Sequence, residues 1–197
     1  MNLPNKLTIL RIIMTPLFMA AMLIEFPHHY AVALVLFVAA SLTDLLDGKI
    51  ARAKGLVTNF GKFLDPLADK MLTTAAFIAF LAKGFGRGIA WVLFIVLFRE
   101  FMIASLRLVA VSSETKKVIP ANIWGKTKTV TQMIAIIFGI AVMYFGESIA
   151  PVINCPEAVM NIAGIVYDVM LWISTVFAVI SGVIYMKDSF EFIDPSK

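Results

Sequence analysis

Long apolar stretches separated by short polar breaks run along the whole chain. A helix needs about 20 mostly apolar residues to cross the hydrocarbon core of a bilayer. The breaks fall where prolines and glycines cluster, as at Pro27, Gly84 and Pro120. The pattern therefore predicts an all-α membrane protein with transmembrane helices over 7–25, 31–52, 64–83, 88–111, 127–146 and 161–186.

The N-terminal segment contains residues that predict where its first helix begins and bends. Asn2 and Pro4 are typical of a helix start, and Pro16 is expected to kink the first span. The residues before Pro16 are therefore predicted to form a short interfacial helix that leads into the membrane. Because no small-residue cleavage site follows the apolar run, the segment is predicted to be retained.

Composition supports the membrane assignment and excludes a soluble fold. The chain is 60% hydrophobic and only 15% charged, whereas a soluble domain carries about 25% charged residues. Its length of 197 residues suits one membrane domain over 1–197. The single cysteine, Cys155, excludes an internal disulfide.

The positive charges predict the orientation. Of 17 Lys and Arg residues, only Lys83 and Arg87 fall in loops that would face outward. Cytoplasmic loops are enriched in Lys and Arg, so both termini are predicted to be cytoplasmic. The net charge of +4 is explained by this rule and by anionic lipids, and nucleic acid is not an expected partner.

Four aspartates stand out against this apolar background. Asp44 and Asp47 lie three apart at the predicted cytoplasmic end of the second span, and Asp65 and Asp69 lie four apart at the start of the third. Each spacing places two carboxylates on one helix face, and each buried carboxylate costs about 2.5–3.5 kcal/mol. Oxygen ligands without a nearby His or Cys favour Mg²⁺, Mn²⁺ or Ca²⁺ over zinc, and Mg²⁺, which keeps phosphate oxygens in its shell, presupposes a phosphorylated ligand. The aspartates therefore predict a metal site that can hold two ions about 3.5–4 Å apart, an arrangement used for displacement at phosphorus.

The residues between the aspartates complete a longer motif. The stretch reads D-x2-D-G-x2-A-R-x8-G-x3-D-x3-D, and its fixed positions are Asp44, Asp47, Gly48, Ala51, Arg52, Gly61, Asp65 and Asp69. This pattern resembles the signature of the CDP-alcohol phosphotransferases, with every fixed residue present. Eight specified positions in one window make the match specific. The resemblance extends to the six-helix plan and so to most of the chain.

The resemblance implies a reaction and a role for each matched position. A metal-bound CDP-linked donor would give its phosphatidyl group to an alcohol and release CMP, in a homodimer whose site opens to the cytoplasm. Asp69 would take the proton from the acceptor hydroxyl and also contact the metal ions, and spacing alone does not say which aspartate is the base. Besides the four metal-binding aspartates, the implied donor-binding residues are Asn5, Thr8, Gly48, Ala51, Arg52 and Gly61. For Asn5 and Thr8, ordinary helix-start chemistry explains the residue types equally well.

Basic residues in the second half bear on the acceptor. The fourth predicted span contains Arg99, Glu100 and Arg107. Charged residues at that depth either form an Arg–Glu pair that braces the helices or contact a substrate phosphate. The phosphate contact suits Arg107 best. Lys126 and Lys128 open the fifth span and diverge on a helix. The segments NLPNKLTILR, FLDPLADK, REF and GKTKT resemble the bacterial phosphatidylglycerophosphate synthases, a branch of this family. The acceptor phosphate is then expected on Arg52, Arg107, Lys126 and Lys128.

The expected function is transfer of the phosphatidyl group of CDP-diacylglycerol to sn-glycerol 3-phosphate in a bacterial cell membrane. The main alternative is the same chemistry with inositol phosphate, serine or phosphatidylglycerol as acceptor. A divalent-cation transporter is the alternative from another class. A transporter is expected to have its carboxylates near the membrane midplane. The four aspartates instead cluster at one predicted face of the membrane, beside Gly, Ala and Arg residues suited to binding a nucleotide.

Overall fold

All regular structure in the described residues is helical, as the sequence predicts. A computed structural model describes residues 2–54, 59–112 and 123–189, with the backbone alone described at 45–54, 59, 60, 62, 63, 65 and 110–112. The helices are α1 (Leu3–Leu23), α2 (His29–Lys54), α3 (Asn59–Ala82), α4 (Ile89–Ser112), α5 (Ile123–Tyr144) and α6 (Glu157–Ser189). A short π-helical segment, Phe145–Ile149, follows α5. Each predicted helix is found, with ends shifted by a few residues.

Several helices are long and apolar enough to cross a membrane. Within the part of the chain that the structure describes, four stretches meet that condition by length and composition: Leu3–Leu23, Ile89–Val109, Ile123–Ile149 and Glu157–Ser189. The first part of α2, His29–Asp44, is a shorter apolar helix. Large apolar side chains such as Phe94 and Phe101 are exposed, as lipid-facing positions require. The chain is a multi-pass membrane protein.

The N-terminal segment differs from its prediction. No separate short helix precedes the first span in the described residues, because α1 continues through Pro16. Asn2 caps this helix, and its side-chain oxygen accepts a hydrogen bond from the Asn5 N–H at 3.3 Å. Near the proline, the Thr15 hydroxyl donates to the Arg11 carbonyl at 2.9 Å.

The chain divides into two compact units, each built from segments distant in sequence. The first unit comprises Met1–Gly86 and Ile136–Ile165, and the second comprises Arg87–Ala135 and Val166–Lys197. Within the first unit, α1 packs against both α2 and α3. Its core is formed by apolar side chains of all three helices, including Phe18, Phe37 and Phe77.

A buried histidine fixes the start of α2 within the first unit. His29 is 1% exposed, and its Nδ1 lies 3.0 Å from the Ala21 carbonyl oxygen in α1. Its Nε2 lies 3.0 Å from Oε1 of Glu147 in the π-helical segment. One imidazole therefore connects α1, α2 and the π-helical segment.

The start of α4 is tied to α6 within the second unit. The Arg87 N–H donates to the Asp168 carboxylate at 2.9 Å, and the Trp172 indole donates to the Arg87 carbonyl at 3.0 Å. Gly88 has φ of +73°, and a Cβ there would lie 2.9 Å from the Trp172 ring. Both the backbone conformation and the close approach therefore require glycine at this position.

Candidate active site

A polar stripe runs along the buried face of α1. Asn5, Thr8, Arg11 and Thr15 follow the spacing of one helix face, and all four are buried although α1 is an apolar helix long enough to span a membrane. The Thr8 hydroxyl donates to the Pro4 carbonyl at 3.1 Å. Polar side chains at such positions usually line a polar interior rather than face lipid. The stripe therefore belongs to a polar region inside the first unit.

Arg11 on this stripe contacts the first aspartate of the motif. Its Nη1 lies 2.6 Å from Oδ1 of Asp44, which joins α1 to α2 by an ion pair. The Arg11 side chain is 1% exposed, whereas 34% of the Asp44 side chain remains accessible. The guanidinium is thus enclosed by protein, and the carboxylate stays open to a ligand.

The other three aspartates lie on the same two helices as the prediction expects. Asp47 follows Asp44 by about one turn of α2, and Asp65 and Asp69 lie about one turn apart on α3. The Asp69 side chain is half-buried, and the side chains of Asp47 and Asp65 lie outside the described residues. Among the side chains that are described, no group of three or more His, Cys, Asp or Glu could hold a metal ion. The four-aspartate metal centre remains a prediction, and its all-oxygen chemistry fits Mg²⁺ or Mn²⁺.

The structure describes the burial of three of the six predicted donor-binding residues and not of the other three. Asn5 and Thr8 are buried on the polar stripe, and Gly61 is buried in the first turn of α3. Gly48, Ala51 and Arg52 lie on α2, at positions whose side chains are outside the described residues. Asn5 and Thr8 therefore share one face of α1 with the partner of Asp44, and their predicted role in donor binding stays a prediction.

In the second unit, Glu100 holds two basic side chains. Its Oε1 accepts from Nη1 of Arg99 at 2.8 Å and from Nζ of Lys128 at 2.8 Å, which joins α4 to α5. Arg99 also donates from Nη2 to the Ser181 hydroxyl at 2.5 Å and so reaches α6. The bracing role considered for the Arg–Glu pair is thus present in the structure.

The candidate acceptor-binding residues lie in different environments within this unit. Lys126 is exposed and Lys128 is buried, as their two-residue spacing on a helix predicts. Exposed Arg107 donates from Nε to the Tyr185 hydroxyl at 3.2 Å, and its guanidinium carbon lies 5.7 Å from the centre of the Tyr185 ring. Lys128 therefore has a carboxylate partner, and Lys126 and Arg107 present charge at the surface of the unit.

Sequence reasoning assigned no role to Arg11. A signal was available, because Arg11 follows Thr8 by three positions and Asn5 by six, which places it on their face of α1. Its contact with Asp44 depends on how α1 and α2 pack, and no spacing in the chain encodes that packing.

Comparison with known proteins agrees with the motif. Residues 1–180 match the CDP-alcohol phosphatidyltransferase family. The chain is 38% identical, over 202 aligned residues, to the CDP-diacylglycerol–glycerol-3-phosphate 3-phosphatidyltransferase of Bacillus subtilis, covering 96% of each chain. It is 37% identical over 190 residues to the enzyme of that name from Rickettsia bellii, covering 94% of each. It is 41% identical over 138 residues to a probable phosphatidylglycerophosphate synthase of Mycobacterium tuberculosis, covering 68% of this chain and 64% of the relative.

Proposed function

Because the chain belongs to the CDP-alcohol phosphatidyltransferase family, we propose that it transfers the phosphatidyl group of CDP-diacylglycerol to sn-glycerol 3-phosphate. The products are phosphatidylglycerophosphate and CMP, and the reaction belongs to phospholipid biosynthesis. The proposal rests mainly on the similarity of this chain, over almost its full length, to relatives that are named for this reaction. The buried polar stripe and the ion pair at Asp44 support a polar site within an apolar protein.

The proposed site uses Mg²⁺ or Mn²⁺, as two ions held by Asp44, Asp47, Asp65 and Asp69. The ions would polarise the diphosphate of the donor and neutralise the charge that develops on departing CMP. The carboxylate types and their spacings on α2 and α3 support this assignment. Asp44 is open enough to bind an ion, since a third of its side chain is accessible.

Asp69 is the proposed general base. A hydroxyl oxygen of the acceptor attacks the phosphatidyl phosphorus, its new P–O bond forms, and the P–O bond to CMP breaks. The hydroxyl proton passes to the Asp69 carboxylate. Direct in-line attack is favoured because the motif contains no Ser, Cys or His that could form a covalent intermediate.

Substrate-binding residues follow from the motif and the basic side chains. Asn5, Thr8, Gly48, Ala51, Arg52 and Gly61 are the proposed ligands of the CDP moiety. Arg52, Arg107, Lys126 and Lys128 are the proposed ligands of the acceptor phosphate. Of these last four, Lys128 already neutralises Glu100, so a phosphate ligand there would share the lysine with that carboxylate.

The membrane arrangement completes the proposal. The chain forms six spans in the cell membrane of a bacterium, with both termini and the active site on the cytoplasmic side, and it works as a homodimer. The distribution of Lys and Arg supports this orientation.

An acceptor panel tests the function directly. Purified protein in detergent is given CDP-diacylglycerol and one acceptor at a time, and CMP release is measured with and without Mg²⁺ or Mn²⁺. We expect release only with the metal and sn-glycerol 3-phosphate together. Turnover with serine, inositol phosphate or phosphatidylglycerol in its place would contradict the acceptor, and release in a metal chelator would contradict the metal.

A further inference from the structure

Arg11 is a buried cation in an apolar helix, and its position there requires a physical explanation. Its side chain is 1% exposed within a stretch long enough to span a membrane. Burial of a charged side chain is costly unless that charge is paired. Charged residues buried in membrane helices usually belong to a functional site. Asp44 in α2 is one carboxylate with which it forms an ion pair.

The contact has the geometry of a positioning interaction. At 2.6 Å, Nη1 of Arg11 is in direct contact with Oδ1 of Asp44, so the ion pair holds the carboxylate close to the buried face of α1. The restrained carboxylate is the more exposed member of the pair, because 34% of its side chain is accessible. An aspartate held in this way at one oxygen can present the other to a ligand.

The scaffold that carries Arg11 is itself well ordered by contacts. Thr8 and Thr15 lie one turn to either side, and each is buried with its hydroxyl bonded to a backbone carbonyl of α1. α1 packs on α2 and α3, the two helices that carry the aspartates. Arg11 therefore extends from a rigid helix face toward the first aspartate of the motif.

We propose that Arg11 is a positioning residue of the metal centre, which orients the Asp44 carboxylate for the divalent cation. The inference rests on the proposed function, in which Asp44 binds the metal. Groups that hydrogen-bond to metal ligands commonly change metal affinity by about 10–100-fold when they are removed. A lysine would keep the charge at this position but replace the rigid planar guanidinium with a compact ammonium on a flexible stem.

The test is Arg11→Lys in the purified full-length protein, with Mn²⁺ binding followed by electron paramagnetic resonance of the free ion. We expect an increase of about 10–100-fold in the dissociation constant for Mn²⁺. Arg99→Lys is the matched control, because Arg99 also pairs with a carboxylate, that of Glu100 in the second unit. Its affinity for Mn²⁺ should stay near that of the wild type.

A second measurement separates positioning from a structural role. If Arg11 acts through Asp44, Arg11→Lys should weaken Mn²⁺ binding no further in a protein that already carries Asp44→Asn. If Arg11→Lys does not fold, Arg11→Gln serves in its place, since it keeps a polar side chain at this position but removes the charge and the contact with Asp44. Folding is checked by gel filtration and by the midpoint of thermal unfolding.

Three results would overturn the inference in distinguishable ways. Unchanged Mn²⁺ affinity in Arg11→Lys would leave Arg11 as a structural counter-ion only. Tighter binding would show that the guanidinium competes with the metal for Asp44. A wild-type protein that binds no Mn²⁺ would overturn the proposed metal centre itself, and the positioning role with it.

Discussion

Single polar and ionisable residues in this protein are stabilised by specific partners. Arg11 is enclosed beside Asp44, His29 contacts Glu147, and Lys128 contacts Glu100. Each contact compensates part of the cost of placing a polar group in an apolar setting. Asp69 differs in its proposed role, because a general base must remain able to accept a proton.

Asp69→Asn tests that role at the residue scale. An amide keeps the size of the side chain but cannot take the proton of the acceptor, so CMP release should fall by about 10²–10⁴-fold. Mn²⁺ binding should fall far less than CMP release, because Asp44, Asp47 and Asp65 still hold the ions, and CDP-diacylglycerol binding should remain close to wild type. The measurements are CMP release and equilibrium binding of each ligand.

Two further variants interpret the result. Asp188→Asn is the matched control, since Asp188 is exposed in the last turn of α6, and it should leave turnover unchanged. Asp44→Asn should lower the affinity for Mn²⁺. If Asp69→Asn instead removed Mn²⁺ binding as Asp44→Asn does, Asp69 would be chiefly a metal ligand and another group would be the base.

Helices in this chain are connected by polar contacts between distant positions. Glu100 joins α4 to α5 through Lys128, and Arg99 joins α4 to α6 through Ser181. Lipid tails are as apolar as the helix surfaces, so the hydrophobic effect contributes little to helix association in a membrane. Buried polar contacts of this kind therefore help to determine which helix faces meet.

Glu100→Gln tests the connection between α4 and α5. The change replaces the carboxylate that accepts from Lys128 by a neutral amide, and breaking a buried ion pair costs about 3–5 kcal/mol. The midpoint of thermal unfolding in detergent should therefore fall. Adding Lys128→Met should recover part of the loss, because the buried positive charge that Glu100 stabilised is then removed as well.

The Glu25–Lys83 pair supplies the control. Its carboxylate is 86% exposed and lies 3.5 Å from the ammonium, so Glu25→Gln should barely move the midpoint. Purely additive effects of Glu100→Gln and Lys128→Met would show that the two side chains do not stabilise each other. Michaelis constants for sn-glycerol 3-phosphate, measured on the same proteins, would separate this structural role from phosphate binding by Lys128.

The whole molecule contains one natural reporter of its orientation. Cys155 is the only cysteine of the chain, and it is partly exposed between the π-helical segment and α6. The proposed six spans place this connection outside the cell. A membrane-impermeant reagent therefore distinguishes the two possible orientations.

We expect a membrane-impermeant maleimide to label Cys155 in right-side-out vesicles without permeabilisation. A protein with Cys155→Ser and Ser196→Cys should be labelled only after permeabilisation, because Ser196 lies in the predicted cytoplasmic tail. Labelling of the two proteins in the reverse pattern would invert the proposed orientation. Labelling is read by mass spectrometry or by a fluorescent maleimide.

The sequence by itself determined the helices, the membrane class and the motif. Those properties depend on local hydropathy and on linear spacing, which are written directly in the chain. Its prediction for the segment before Pro16 differed from the structure, because Pro16 lies inside one continuous helix. Asp47, Gly48, Ala51, Arg52 and Asp65 have side chains outside the described residues, so their roles still rest on the motif.

Only the tertiary structure decided which polar groups meet. Lys128 and Glu100 are 28 positions apart in the chain, and His29 and Glu147 are 118 apart. Arg11 and Asp44 also come from different helices. Such contacts depend on which helix faces pack together, and that choice reflects the summed packing of many side chains rather than any local pattern.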